Sequence, residues 1–310
     1  MQFTIYFYIE ALLVFVLVAL TAGNNLSVSS GTLITSKTVK KRYGILIAIL
    51  GYISGFLVEG NFLRAGISKI VSFGNQYFVF VVFSIAILIF IIAHKKRVPE
   101  SLSITLTSAL FGTGLALNTI NLGYAFYIVI FWVLAGVISF MLCYFLMKYK
   151  NKLIFKKDIW KTVSVMKVSL IILAFFTSFT LGANTIGLIY ASIPSSMAMV
   201  IIIILGIIVG SVLLSSGELK RIGNEIIPLR YSNALITQAV SVFLVELATT
   251  FSIPLSNTQT LTAGIYGTGL SYKTRLILKK PLFAIMTIWV VTAVISFILG
   301  YIATLIFIVH

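Results

Sequence analysis

Eight apolar runs, each close to the length that crosses a bilayer, decide what this chain can become. They lie at Thr4–Ala22, Tyr43–Val58, Tyr77–Ala93, Tyr124–Met147, Val163–Leu181, Met197–Leu214, Ser232–Ser252 and Leu282–Val309. About 20 helical residues span a hydrocarbon core roughly 30 Å thick, so the runs predict an all-α integral membrane protein. Composition agrees: 60% of residues are hydrophobic and 10% charged, with a mean hydropathy of +1.12, which excludes a large soluble domain. Met1–Ala22 has no basic leading stretch and is long enough to span, so it reads as a retained first helix rather than a cleaved signal.

Two further segments of unusual composition interrupt the apolar pattern. Pro99–Leu115 reads PESLSITLTSALFGTGL and Pro254–Leu270 reads PLSNTQTLTAGIYGTGL; with the prolines aligned, Gly112–Leu115 and Gly267–Leu270 fall in register. A proline at the start and glycines near the end predict interrupted or re-entrant helices at the midplane rather than plain spans. A second pair of segments repeats in the same order. TAGNNLSVSSGTLITSK, Thr21–Lys37, precedes the first polar segment, and LGANTIGLIYASIPSS, Leu181–Ser196, precedes the second. Two inverted-topology repeats of five net crossings each follow from this, residues 1–147 and 162–310, with the basic stretch 148–161 as a cytoplasmic connector.

Charge gives the topology. The formal net charge of +16 would suggest a nucleic-acid partner in a soluble chain, but here the bases sit between apolar runs, so no nucleic acid is expected. The clusters are Lys37–Arg42, Lys95–Arg97, Lys148–Lys167, Lys220–Arg230 and Lys273–Lys280. If the chain starts outside and each polar segment counts as one crossing, all five clusters fall on one side. Only Arg64 and Lys69 are left opposite, so 21 of the 23 basic residues obey the positive-inside bias. The expectation is a multi-pass protein of the cell membrane, embedded in lipid, with both termini outside. Cys143, the single cysteine, lies in an apolar run and forms no internal disulfide.

Polar side chains at membrane depth need partners, because an unsatisfied group there costs several kcal/mol. Gly112, Gly114, Gly267 and Gly269 are explained by helix packing. Asn24, Asn25 and Asn184 are poor packing residues and read as binding residues. A broken helix exposes N–H groups and the positive end of its dipole, and nearby hydroxyls and amides add donors for an oxyanion. Ser101, Ser103 and Thr105 in one half, and Ser256, Asn257, Thr258 and Gln259 in the other, are such donors just after a proline.

These four segments resemble those of the inorganic phosphate transporter (PiT) family, whose two inverted repeats each carry a G-A-N-D-x-A-N-like and a later P-x-S-T-T-H-like segment. Ala22–Asn25 and Leu181–Asn184 stand where the first motif falls, Pro99–Ser103 and Pro254–Gln259 where the second falls, and GTLITSK resembles the family's G-T-S-V-G-S-G. The resemblance implies a secondary transporter of an inorganic oxyanion, phosphate first and sulfate as the alternative, working by cation-coupled symport and alternating access without a cofactor. It implies a substrate site of Asn24, Asn25, Ser101, Ser103, Asn184, Thr185, Ser256, Asn257, Thr258 and Gln259. Transporters of this kind often pair, so a homodimer is an expectation.

The departures bear on coupling. The family's aspartate is replaced by Asn25 and Thr185, its later asparagine by Val28 and Leu188, and its histidine by Ile104 and Gln259. Sodium coupling therefore does not carry over with the motif, and a proton is the alternative co-transported ion. Against about 100 mV, inside negative, importing one negative charge costs roughly 2.3 kcal/mol, so uptake needs cations. Glu246 and Glu10 are the intramembrane candidates, and Glu100, beside a basic cluster, reads as a gate or an interfacial charge. An enzyme is not expected, because His94, His310, Cys143 and Asp158 are scattered along the chain. The alternative of another class is a non-transporting, degenerate membrane protein that serves a partner.

Overall fold

The computed structural model describes residues 5–35, 38–71, 77–96, 100–153, 159–214, 231–271 and 279–309. The elements are α1 (Ile5–Thr35), α2 (Lys41–Glu59), α3 (Arg64–Ile67), α4 (Phe78–Lys96), α5 (Leu102–Ala116), α6 (Leu122–Leu153) and α7 (Ile159–Thr180). A π-helical turn (Leu181–Ile186) joins α7 to α8 (Gly187–Ala191). Then come α9 (Met197–Leu213), α10 (Tyr231–Thr250), α11 (Asn257–Ser271) and α12 (Lys279–Thr304), which ends in a second π-helical turn (Leu305–Val309). Among the described residues six stretches are long and apolar enough to cross a membrane. Pro99, Asp158, His310 and most of the clusters at Lys220–Arg230 and Lys273–Lys280 lie outside the described residues.

Two helices run further than the apolar pattern predicts. α1 does not stop at Ala22 but continues through Asn24 and Asn25 to Thr35. Its Gly23 is pressed against α9, where an added methyl would meet the Gly210 carbonyl oxygen at 2.9 Å. The matching segment of the second half, Leu181–Ile186, stays helical but widens into a π turn, a local form that recurs at functional sites. Both asparagine motifs thus lie inside long helices.

The two proline-led segments do break. Ser101 is extended (φ −117°, ψ 111°) before the 15 residues of α5, and Ile253–Ser256 has no helical structure before the 15 residues of α11. At about 1.5 Å per residue such a helix covers only some 22 Å, too short for the hydrocarbon core. Neither can therefore cross the core by itself. The turn before α11 is pinned at Ser252, which has φ 60°. Its Oγ donates to the Phe62 carbonyl (2.6 Å), and its own carbonyl accepts from the Tyr124 hydroxyl (2.7 Å).

The halves interlock. α5 packs on α12 of the other half and α11 on α6; likewise α1 packs on α9 and α2 on α7. Equivalent glycines set these crossings. A methyl on Gly112 would sit 2.0 Å from the Phe297 carbonyl oxygen and one on Gly267 2.2 Å from that of Phe140; Gly55 and Gly210 press on Phe179 and Ala19 in the same way. The receiving helices carry a repeat of their own. Trp132–Tyr144, WVLAGVISFMLCY, and Trp289–Tyr301, WVVTAVISFILGY, agree at eight of thirteen positions. The short helices also run in opposite directions. α5 ends at Ala116, and Thr119 just beyond it bonds the Ile70 carbonyl, while α11 starts from the turn at Ser252 that bonds Phe62 in that same loop region and runs away from it.

Arg64 and Lys69, the two bases set apart from the clusters, belong to this loop. Arg64 donates to the carbonyls of Ile193 (2.6 Å) and Tyr190 (3.4 Å) at the end of α8. Lys69 lies 4.7 Å from the Tyr124 ring centre. A cation at a helix C-terminus stabilises its free carbonyls. Arg64→Met should therefore lower the thermal midpoint in detergent, by the equivalent of about 1.5–3 kcal/mol for charged hydrogen bonds; an unchanged midpoint would remove this role.

Candidate functional site

The N-termini of α5 and α11 meet. Ser101 Oγ donates to Ser256 Oγ at 2.7 Å, across 155 residues of sequence. Both serines are buried, and they occupy equivalent positions of the two repeats. Each precedes the first residue of its helix, and the first-turn bonds match: Thr105 N–H to the Ser101 carbonyl and Thr260 N–H to that of Ser256. Ser256 Oγ caps α11 by accepting from Gln259 N–H (3.2 Å) and shares a hydrogen bond with Thr258 Oγ1 (2.9 Å). Ser101 makes no such cap on its own helix. Its hydroxyl reaches across instead, so first-turn N–H groups of α5 lack a partner from their own helix.

Asn257 adds a donor aimed at nothing. Its Oδ1 accepts from Ser241 Oγ (2.7 Å), which fixes the amide, while Nδ2 is buried without a hydrogen-bonding partner. A buried, unpaired donor costs about 1–3 kcal/mol, a cost that an acceptor bound there would remove. With two converging positive helix ends, the site is built for a negative, oxygen-rich ligand. Ser103, buried in the first turn of α5, belongs to the same end.

The other expected residues are placed differently. Asn184 spends its amide on the protein: Nδ2 donates to Thr249 Oγ1 (2.9 Å) and the Ile253 carbonyl (3.0 Å), and Oδ1 accepts from Leu255 N–H (3.0 Å). It holds the extended stretch that delivers Ser256. Trp132 does the same from α6, donating from Nε1 to the Pro254 carbonyl at 2.7 Å, and Ser139 Oγ donates to the Thr260 carbonyl. Sequence reasoning missed both residues, although the repeated Trp-Val and Val-Ile-Ser-Phe pattern marks them. Gln259 turns away from the serine pair and donates to the Trp132 carbonyl (3.1 Å). Thr185 is buried beside Asn184. Asn24 is half-buried and Asn25 buried on α1, and among the described residues no hydrogen bond joins Asn25 to the serine pair.

A cavity of about 660 Å³ lies beyond Gln259, between α5, α6, α11 and α12, and is walled by Phe111, Trp132, Phe140, Trp289 and Phe297. Its lining is almost wholly apolar, so it cannot replace the hydration of an oxyanion. Among the carboxyls, Glu246 stands within hydrogen-bonding reach of Glu59 at the end of α2. One oxygen of each is buried without a partner, as is Oε1 of Glu10 on α1. Glu100 is buried inside the protein, 3% exposed, despite the basic cluster before it.

Multi-pass helices, exchanged helix pairings and two short helices meeting N-terminus to N-terminus define a membrane protein of the two-repeat transporter class. The profile of the phosphate transporter family matches residues 21–300. The chain belongs to that family. A protein of Methanocaldococcus jannaschii named "Putative phosphate permease" is 26% identical over 294 residues, covering 95% of each chain. A solved structure described as "The sodium-dependent phosphate transporter" shares the fold with a TM-score of 0.80 at 18% identity, covering 96% of this chain and 98% of the other.

Proposed function

We propose that this chain carries inorganic phosphate across the membrane by cation-coupled symport, binding it at the meeting of α5 and α11. The observation that carries the reading is the Ser101–Ser256 contact between two half-length helices, beside the unpaired Nδ2 of Asn257. Ser101, Ser103, Ser256, Asn257 and Thr258 would bind the anion directly. Asn184, with Thr185 beside it, would position the extended stretch, and Gln259 would tie α11 to α6. Asn24 and Asn25 would serve from the matching place on α1. The Ser101–Ser256 bond is a lock between the two halves that an anion would replace, since both hydroxyls could turn to it. Because the tightest seams each join one half to the other, the proposed route to alternating access moves α1, α2, α7 and α9 as one unit against α5, α6, α11 and α12 about this point, with both termini outside. The membrane-embedded carboxyls Glu10 and Glu246, the latter paired with Glu59, are candidate carriers of the coupling charge, as is Glu100.

Heat protection of the purified protein tests the binding site. Phosphate should raise the thermal midpoint in detergent, and the Ser256→Ala, Thr258→Ala double variant should lose that rise. Equal protection in the variant would place the site elsewhere. A larger rise with sulfate than with phosphate would change the substrate but keep the site.

A further inference from the structure

Glu100 stands one residue before Ser101, at the end of α5 where the anion is proposed to bind. Its Oε1 accepts from Thr105 Oγ1, one turn into the same helix. The Ser101 backbone N–H and the Thr292 hydroxyl of α12 lie against the carboxyl. Oε2 is buried without a hydrogen-bonding partner. No basic side chain among the described residues is in contact with it. α4 offers Lys95, which is exposed; α12 offers Tyr301, also exposed; α11 offers the buried Tyr266. The equivalent position of the second repeat is Leu255, fully buried and apolar. The carboxyl is therefore single.

We propose that Glu100 binds the proton that travels with the anion: protonated while the anion rests on the serine pair, ionised after the anion has left. This rests on the anion-transport reading above. An ionised Glu100 would itself occupy the positive end of α5 and draw on the Ser101 N–H, as a tethered substitute for the substrate. Two negative charges in one low-dielectric site repel strongly, and both compete for the same helix end. A proton on Oε2 removes the repulsion and frees the N–H groups. The proton comes from the solution on the side where the anion enters and is released with it on the other, so no further reactant is needed. One carboxyl per two repeats gives one proton per cycle, which offsets the charge of a monovalent phosphate moving against the membrane potential. The chemistry of a proton fits better than that of sodium. Oε2 alone suffices for a proton, whereas sodium needs several oxygens directed at one point, and Thr105 directs a hydrogen at Oε1.

The test uses the purified full chain in proteoliposomes, with labelled phosphate outside at fixed pH and the lumenal pH varied, so that the external species stay constant. The wild type should accumulate the monovalent anion, total label corrected for its second ionisation in the lumen, about tenfold more per pH unit of alkaline lumen, as one proton per anion requires. Glu100→Gln should lose that dependence in whatever phosphate flux it retains. Thr105→Val, which removes the hydrogen bond to Oε1, should shift the midpoint of the lumenal pH response and guards against a Glu100→Gln variant that does not fold. No phosphate flux or exchange in the wild type would overturn the transport reading itself. Exchange without any pH response, a response to sodium alone, or a pH response that survives Glu100→Gln and vanishes in Glu246→Gln would overturn this assignment and leave transport standing.

Discussion

Gly267→Val should leave little or no folded protein after detergent extraction. The added Cβ alone would lie 2.2 Å from the Phe140 carbonyl oxygen, and a backbone carbonyl inside α6 cannot swing aside as a side-chain tip can. α11 would have to lift off α6, breaking the Ser139–Thr260 bond and the Gln259–Trp132 bond made across the same seam. Overpacking of this kind costs about 1–3 kcal/mol where the core can yield and more where it cannot. Gly112→Val should behave alike, since its methyl would meet the Phe297 carbonyl at 2.0 Å. Gly136→Ala is the control: the nearest atom to its methyl is Gln259 Nε2 at 3.8 Å, at the cavity wall. The monodisperse fraction and the thermal midpoint of the three variants decide the matter, and a stable Gly267→Val protein would contradict the interlocked packing.

Asn184→Ala should abolish anion protection although the side chain need not touch the anion. Truncation strands the Leu255 N–H and the Ile253 carbonyl in a buried site, at roughly 1–3 kcal/mol for each group left unpaired, while the Thr249 hydroxyl keeps its bond to the Val245 carbonyl. The stretch Ile253–Ser256 has no helix bonds of its own to fall back on. Released, it carries Ser256 away from Ser101. The expected result is a folded protein with a lowered midpoint, no rise on adding phosphate, and uptake reduced at least tenfold. A variant with a normal phosphate response would show that the stretch is held by Trp132 and Ser252 alone.

Much of this was legible from residue types, and what was not has identifiable causes. The apolar runs and the prolines predict the long helices and the two breaks, because both follow from local backbone chemistry. The end of α1 was misplaced because Asn24, Asn25 and the serines after them oppose a helix locally, yet packing of Gly23 on α9 overrides that preference. Asn184 carried a binding signal for a sound reason, an amide at membrane depth, but its partners lie about 65–71 residues away in sequence and only the fold shows them. Glu100 reads in sequence as a gate or an interfacial charge, and its basic neighbours give no sign of its burial. Burial depends instead on α12, which arrives from the far end of the chain and brings Thr292 beside it. The exchange of partners between halves was likewise unreadable from the short helices alone. It becomes readable in hindsight from the Trp132 and Trp289 repeats, which need short helices to receive.

Uptake of labelled phosphate by proteoliposomes tests the central claim most directly, with the wild type set beside a folded Ser101→Ala, Ser256→Ala double variant. The wild type should take up phosphate saturably, with excess unlabelled phosphate competing better than sulfate, and the variant should fall at least tenfold. Absence of flux of either anion under any imposed proton or sodium gradient, or full uptake by the variant, would contradict it.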